Sequence, residues 1–225
     1  TGHQINSLID IAIDLKKEGC NINHNLNNKV LGLIFNKAST RTRVSFQVAM
    51  ARLGGQVIDL SVQSTQIGRG EPIKDTARVL SRYCDGLAIR TYAHDEIVEY
   101  ANWSSIPVIN ALTDLEHPCQ ALADFLTVEQ AFGTLKGLNL AYIGDGNNVA
   151  HSLMLCGALL GVNILLACPK GYEPDSSVIS KARSLAVDGT SISLSHDPLE
   201  SITGANVVYT DVWSSMGQEE QQQSR

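Results

Sequence analysis

The stretch Val30-Leu31-Gly32-Leu33-Ile34-Phe35-Asn36-Lys37-Ala38-Ser39-Thr40-Arg41-Thr42-Arg43 runs from an apolar strand into the head of a helix. The strand rests on Val30 to Phe35. The helix rests on Val44, Phe46, Val48, Ala49 and Leu53, with Gly54-Gly55 as its stop. A helix start leaves four backbone N–H groups unpaired and carries the positive end of the macrodipole, so it favours anions. Here it also carries three hydroxyls and two guanidiniums. The plain alternative is a capped helix with a solvated basic first turn, but basic side chains there oppose the dipole. The arginines point instead to an anion held at this turn.

Outward from this unit the same strand–helix alternation repeats. Toward the N-terminus, Ile5, Leu8, Ile9, Ala12 and Leu15 form a helical stripe ending at Gly19, followed by an Asn-rich loop over residues 21–28. Toward the C-terminus come a strand at Gln56 to Leu60, a polar loop at Ser61 to Gly70 and a helix from Ile73 to Tyr83 behind Pro72. Strands at Gly86 to Ile89 and Ile106 to Ile109 flank a helix at His94 to Asn102. A helix from Pro118 to about Ala131 closes this half near Gly133. A second series follows: strands at Leu138 to Ile143, Val162 to Ala167, Ser191 to Leu194 and Asn206 to Tyr209, with helices at Asn147 to Leu160, Ser176 to Ala186 and Pro198 to Ile202. Such alternation predicts an α/β fold with two doubly wound parallel-sheet lobes joined by a helix, residues 1–132 and 133–225, and the active site in the cleft between them. Ligands of these sheets sit beyond the carboxyl ends of the strands. Ser39 to Arg43, Arg90, His117, Asn148, Asp211 and Ser215 all fall there.

A second motif narrows the chemistry. In His117-Pro118-Cys119-Gln120-Ala121-Leu122-Ala123-Asp124, the residues His117, Gln120 and Asp124 share one helical face as an imidazole, an amide and a carboxylate. A histidine at a helix start is by itself more often a cap than a catalyst. Together, Ser-Thr-Arg-Thr-Arg and His-Pro-x-Gln-x-x-x-Asp resemble the aspartate/ornithine carbamoyltransferase family. Asp145-Gly146-Asn147-Asn148, Asp211 to Gly217, Gln66-Ile67-Gly68 and Asp75 to Leu80 resemble its ornithine branch, and the likeness runs in order along the whole chain.

The resemblance implies transfer of a carbamoyl group from carbamoyl phosphate to the side-chain amine of L-ornithine, giving L-citrulline and phosphate. It implies that residues 1–132 bind carbamoyl phosphate through Ser39, Thr40, Arg41, Thr42, Gln66, Arg90, His117 and Gln120. It implies that Arg90, His117 and Thr42 are catalytic donors toward the carbonyl oxygen, and that residues 133–225 bind ornithine through Asn148, Asp211, Ser215 and Met216. It implies no cofactor and no metal, and a homotrimer or trimer-based assembly in which the Gln66 loop reaches a neighbouring site. From the residues alone, Asn147 and Asn148 serve equally well as turn formers. The competing acceptors are putrescine, an acylated ornithine and aspartate. The other alternative is a truncated binding form, because the family's later His-Cys-Leu-Pro segment, a further arginine and a closing C-terminal helix do not occur in these 225 residues.

Bulk properties exclude other classes. With 44% hydrophobic and 18% charged residues and a net charge of −6, the chain has an ordinary globular composition and no basic stripe for nucleic acid. No apolar run approaches the ~20 residues of a membrane span. Arg41, Arg43 and Arg90 are available for a local positive cluster. The five cysteines are odd in number and lack metal-ligand spacing, which points to reduced thiols. Cys119 lies two residues from His117, on a different helical face, so a Cys–His nucleophile is not expected. Asp145-Gly146 lacks the remaining glycines of a dinucleotide fingerprint. A cytoplasmic enzyme is expected, with an organelle matrix left open by an N-terminus that enters a helix at once.

Overall fold

The structure, a computed structural model, describes residues 1–18, 26–61 and 65–211. Its contacts divide the chain into two compact units, one of residues 14–119 and one of residues 1–13 with the described residues from Gln120 onward. Helix α1 (Gly2–Glu18) and helix α5 (Pro118–Phe132) each contribute to both.

Residues 14–119 build a parallel sheet from β1 (Val30–Phe35), β2 (Gln56–Leu60), β3 (Gly86–Arg90) and β4 (Val108–Leu112), in the order β2-β1-β3-β4. Helices α2 (Arg41–Arg52), α3 (Ile73–Leu80) and α4 (His94–Trp103) connect them. The strands β1 and β3 are apolar runs buried on both faces, as parallel strands between helices require. Strand β4 starts two residues later than its apolar run suggests. Pro107 has no N–H to give the ladder, and it joins only through its carbonyl, which accepts from Leu87 N at 2.9 Å. Helix α3 stops at Leu80, where the Ser81 hydroxyl turns back to donate to Ala77 O at 2.7 Å.

Helix α2 forms where expected but presents another face. At about 100° per residue, Val44 and Phe46 point in nearly opposite directions, so one sheet cannot cover both. The core takes Phe46 and Met50, which pack with Leu31, Leu33, Phe35, Ala88 and Ala111. Val44 and Val48 stay 50% and 43% exposed.

The second unit repeats the plan with β5 (Asn139–Ile143), β6 (Asn163–Ala167), β7 (Ile192–Ser195) and β8 (Val207–Thr210), all parallel, in the order β7-β6-β5-β8. Helices α6 (Asn148–Leu160), α7 (Ser176–Leu185) and α8 (Pro198–Ile202) join the strands. Leu140, Tyr142, Leu153, Met154, Ile164 and Leu166 fill its core. Gly2 of α1 lies so close to α6 that an added Cβ would stand 2.3 Å from Leu159 O, which only glycine permits. Among the described residues no helix is long and apolar enough to cross a membrane.

Both sheets reverse direction once. In the first, the chain leaves β1 for β2 on one side and returns to β3 on the other. In the second, β5 leads to β6 and β7 on one side, and β8 returns on the other. The crevice at such a switch point is where open α/β sheets bind ligands.

Candidate active site

In the unit of residues 14–119 the switch point is lined by the turn after β1 and by the end of β3. Asn36 N donates to Arg90 O at 2.9 Å, which ties the two together. The register between β3 and β4 shifts between Ile89 and Arg90, a bulge of the kind that re-aims a side chain at a strand end. Arg90 is 5% exposed. Burial, and then the charge of Arg41, hold the pKa of its guanidinium below the ordinary arginine value. The two like charges therefore lie close enough to repel one another. Among the described residues neither forms an ion pair with a carboxylate.

The head of α2 supplies the rest. Ser39 Oγ accepts from Thr42 N at 3.3 Å, a long bond that leaves the turn open to a better acceptor, and the first turn contains no acidic residue. Arg43, grouped with Arg41 and Arg90 on sequence grounds, is instead engaged elsewhere. It pairs with Asp59 and lies over the Phe35 ring, 4.9 Å from its centroid. Two positions along a helix turn it away from Arg41. Lys37 is likewise committed, to Asp114 at 2.7 Å and to the Tyr92 ring at 5.0 Å.

His117 follows β4 through a turn pinned by Thr113, whose hydroxyl accepts from Glu116 N at 3.1 Å and meets His94 Nδ1 at 3.1 Å. Burial, with Arg90 as a second cause, lowers the His117 pKa to about 4. The ring is neutral at ordinary pH and able to donate from one nitrogen only. Cys119 is occupied with Asn110 O at 3.4 Å, and burial raises its pKa, so no thiolate is available beside His117. Gln66 opens a short 3-10 turn, Gln66–Arg69, and is exposed. It is not among the groups brought to the Arg41–Arg90 crevice.

In the second unit, Asn147 and Asp211 meet at the switch point of the β5–β8 pair. Asn147 Nδ2 donates to Asp211 Oδ2, while Asn147 Oδ1 accepts from Val149 N at 2.9 Å and Ala150 N at 3.2 Å and so caps α6. Asn148 is the first residue of that helix. Tyr142, at the end of β5, donates to Asp145 O at 2.8 Å and lies 3.4 Å from Asp211 Oδ2. Gly146 is obligatory here: a Cβ would stand 2.0 Å from Pro174 N. On α5, Gln120 Nε2 donates to Asp124 Oδ1 at 2.8 Å. Ser215 and Met216 lie outside the described residues.

Sequence reasoning singled out Asp211 and Asn148 but missed the parts of Asn147 and Tyr142. An asparagine one residue before an apolar helix is a recognisable cap. The inward hydroxyl of Tyr142 carries no comparable signal. Among the described residues no group of His, Cys, Asp and Glu is arranged to hold a metal.

Residues 1–130 match the carbamoyl-P binding domain of aspartate/ornithine carbamoyltransferase, and residues 136–225 match its Asp/Orn binding domain. Over 225 residues the chain is 64% identical to ornithine carbamoyltransferase of Parasynechococcus marenigrum (strain WH8102), covering all of this chain and 70% of that relative. The solved structure of ornithine carbamoyltransferase from Pyrococcus furiosus matches with a TM-score of 0.95 at 48% identity, covering 100% of this chain and 73% of that one. That of the Gloeobacter violaceus enzyme matches with a TM-score of 0.86 at 54% identity, covering 95% and 71%. With both of its α/β units matched in order and at this level of identity, the chain belongs to the aspartate/ornithine carbamoyltransferase family.

Proposed function

We propose that this protein transfers the carbamoyl group of carbamoyl phosphate to the side-chain amine of L-ornithine, giving L-citrulline and phosphate. The observation that carries this is the pair Arg41 and Arg90, one of them buried, close enough to repel and with no carboxylate counter-ion among the described residues. A phosphate dianion neutralises such a pair, and charge-assisted contacts from arginine are the strong ones.

In this proposal residues 1–132 bind carbamoyl phosphate and residues 133–225 bind ornithine. Ser39, Thr40, Arg41, Thr42 and Arg90 hold the phosphate. The amine nitrogen attacks the carbonyl carbon, the C–O bond breaks with its electron pair passing to phosphate, and the proton shed by the amine is taken up by the leaving phosphate. Negative charge gathers on the carbonyl oxygen in the transition state, where Thr42, Arg90 and neutral His117 donate to it. Gln120 meets the carbamoyl NH2. Asp211 accepts from the α-ammonium of ornithine, with Asn148, Ser215 and Met216 completing that contact. A carboxylate at this switch point suits an ammonium, whereas an aspartate acceptor would bring a second carboxylate toward it.

We place the enzyme in the cytoplasm, a reading supported by four free thiols among the described residues. We place Gln66 in the site of a neighbouring subunit of a homotrimer or trimer-based assembly. Supporting this are its exposure and that of the apolar residues Val44, Val48 and Ile58 on the same unit. Light scattering on the full-length protein tests the assembly.

The decisive experiment is Arg41→Ala in the full-length protein. Loss of a charged hydrogen bond, about 1.5–3 kcal/mol, weakens carbamoyl phosphate binding by about 10- to 100-fold with the fold retained. Unchanged affinity in a folded variant would remove the phosphate assignment.

A further inference from the structure

The side chain of Gln120 has two chemically opposite ends, a carbonyl that accepts and an NH2 that donates. Rotation by half a turn exchanges them at little steric cost. A glutamine left to itself would offer either end to a ligand and would discriminate poorly between a carbamoyl NH2 and a group without donors. In this structure Gln120 is not left to itself. One turn along α5, Asp124 accepts from Nε2 at 2.8 Å. An ionised carboxylate has no hydrogen to give, so it can hold only the nitrogen end of the amide.

Asp124 is itself anchored. Its Oδ2 is fully buried with no hydrogen-bond partner among the described residues, and the Tyr209 hydroxyl of β8 lies near enough to help hold the carboxyl charged. Tyr209 stacks on Tyr142 with ring centroids 5.7 Å apart and lies two residues before Asp211, on the same face of an extended strand. Asp124 thus sets Gln120 beside the neighbourhood of Tyr209, on the strand that leads to Asp211.

We propose that Asp124 is a positioning residue that fixes the polarity of Gln120, so that the amide oxygen alone is offered to the carbamoyl group and accepts from its NH2. The proposal rests on the assignment of Gln120 as the carbamoyl contact. Energetics support it. Burial raises the Asp124 carboxyl pKa, with the Gln120 and Tyr209 bonds acting in the opposite direction. A group whose folded pKa lies above its unfolded one contributes stability at acid pH that is lost as pH rises through the folded value. Ionising this carboxyl in the folded chain thus costs folding free energy, as expected of a group kept for function.

The test uses the full-length protein and three ligands: carbamoyl phosphate, acetyl phosphate, in which a methyl replaces the NH2, and inorganic phosphate. Asp124→Asn replaces the carboxylate by an amide of the same shape that can donate to Gln120 Oε1 and turn it over; Asp124→Ala is the second variant. Both are expected to lower the preference for carbamoyl over acetyl phosphate by about tenfold, the equivalent of about 1.4 kcal/mol. Inorganic phosphate binding stays unchanged and the melting temperature of Asp124→Asn does not fall. A merely structural role would instead weaken all three ligands together. Gln120→Ala separates the two levels of the proposal. If Gln120→Ala loses the preference and both Asp124 variants keep it, the positioning role is wrong and the Gln120 assignment stands. If Gln120→Ala keeps the preference, the assignment falls and the positioning role falls with it.

Discussion

Burial and the neighbouring Arg90 hold His117 neutral down to a pKa of about 4, which decides what the ring can do. A neutral imidazole beside Arg90 is suited to donate one hydrogen bond to an oxygen that is gaining charge, and an imidazolium there would add to the repulsion. The same shift enters stability. The unfolded chain takes up the proton at about 6.5 and the folded one only at about 4, so stability is lost as pH falls across that interval. His117→Ala is expected to flatten this acid limb of the stability curve, measured by thermal melts from about pH 7 downward. It is also expected to lower turnover by about 100-fold or more, with inorganic phosphate affinity kept, because the lost donor acts mainly in the transition state. Equal losses in phosphate affinity and turnover would mark a binding residue instead. At this scale the sequence singled out His117 and the arginines by their place at strand ends. It could not separate Arg41 from Arg43, since what commits Arg43 is Asp59 and the Phe35 ring, both brought in by the sheet.

Elements were legible where periodicity and punctuation agree: β1 and β3 as unbroken apolar runs, α6 between Asn147 and Gly161. Faces were less so. Helix α2 has apolar residues at 44, 46, 48 and 50, and only packing against β1 shows that buried Met50 and half-buried Phe46 face the core. Asn147 illustrates the opposite gain, because a residue weighed as a turn former turns out to hold two structures together. Its Oδ1 caps α6 and its Nδ2 fixes Asp211. Asn147→Ala is expected to cost about 1 kcal/mol of stability through the lost cap. It is also expected to raise the ornithine concentration required for half-maximal rate several-fold, because Asp211 loses the donor that orients it. Asn147→Asp keeps the cap acceptor but sets a second carboxylate against Asp211, so it is expected to preserve the cap and still weaken ornithine binding. If both variants bind ornithine normally, Asn147 is a cap and nothing more.

The whole molecule carries a net charge of −6 yet is read as binding an anion, which requires the positive groups to be gathered locally. The first sheet does this at its switch point with Arg41, Arg90 and the head of α2. The second sheet, also parallel but with a different strand order, has Asp211 and Asn147 at its own switch point. Each switch point thus bears the sign opposite to the group assigned to it, phosphate in one case and α-ammonium in the other. Such a division predicts separable ligand responses. Inorganic phosphate at about 100 times its Kd adds about 2.7 kcal/mol to stability and raises the melting temperature of the full-length protein. Added salt weakens that shift, since the exposed Arg41 is screened. Arg41→Ala is expected to abolish most of the shift, while Asp211→Asn leaves it intact and raises the ornithine requirement instead. A phosphate-induced shift lost equally in both variants would show that the two switch points do not act as separate subsites.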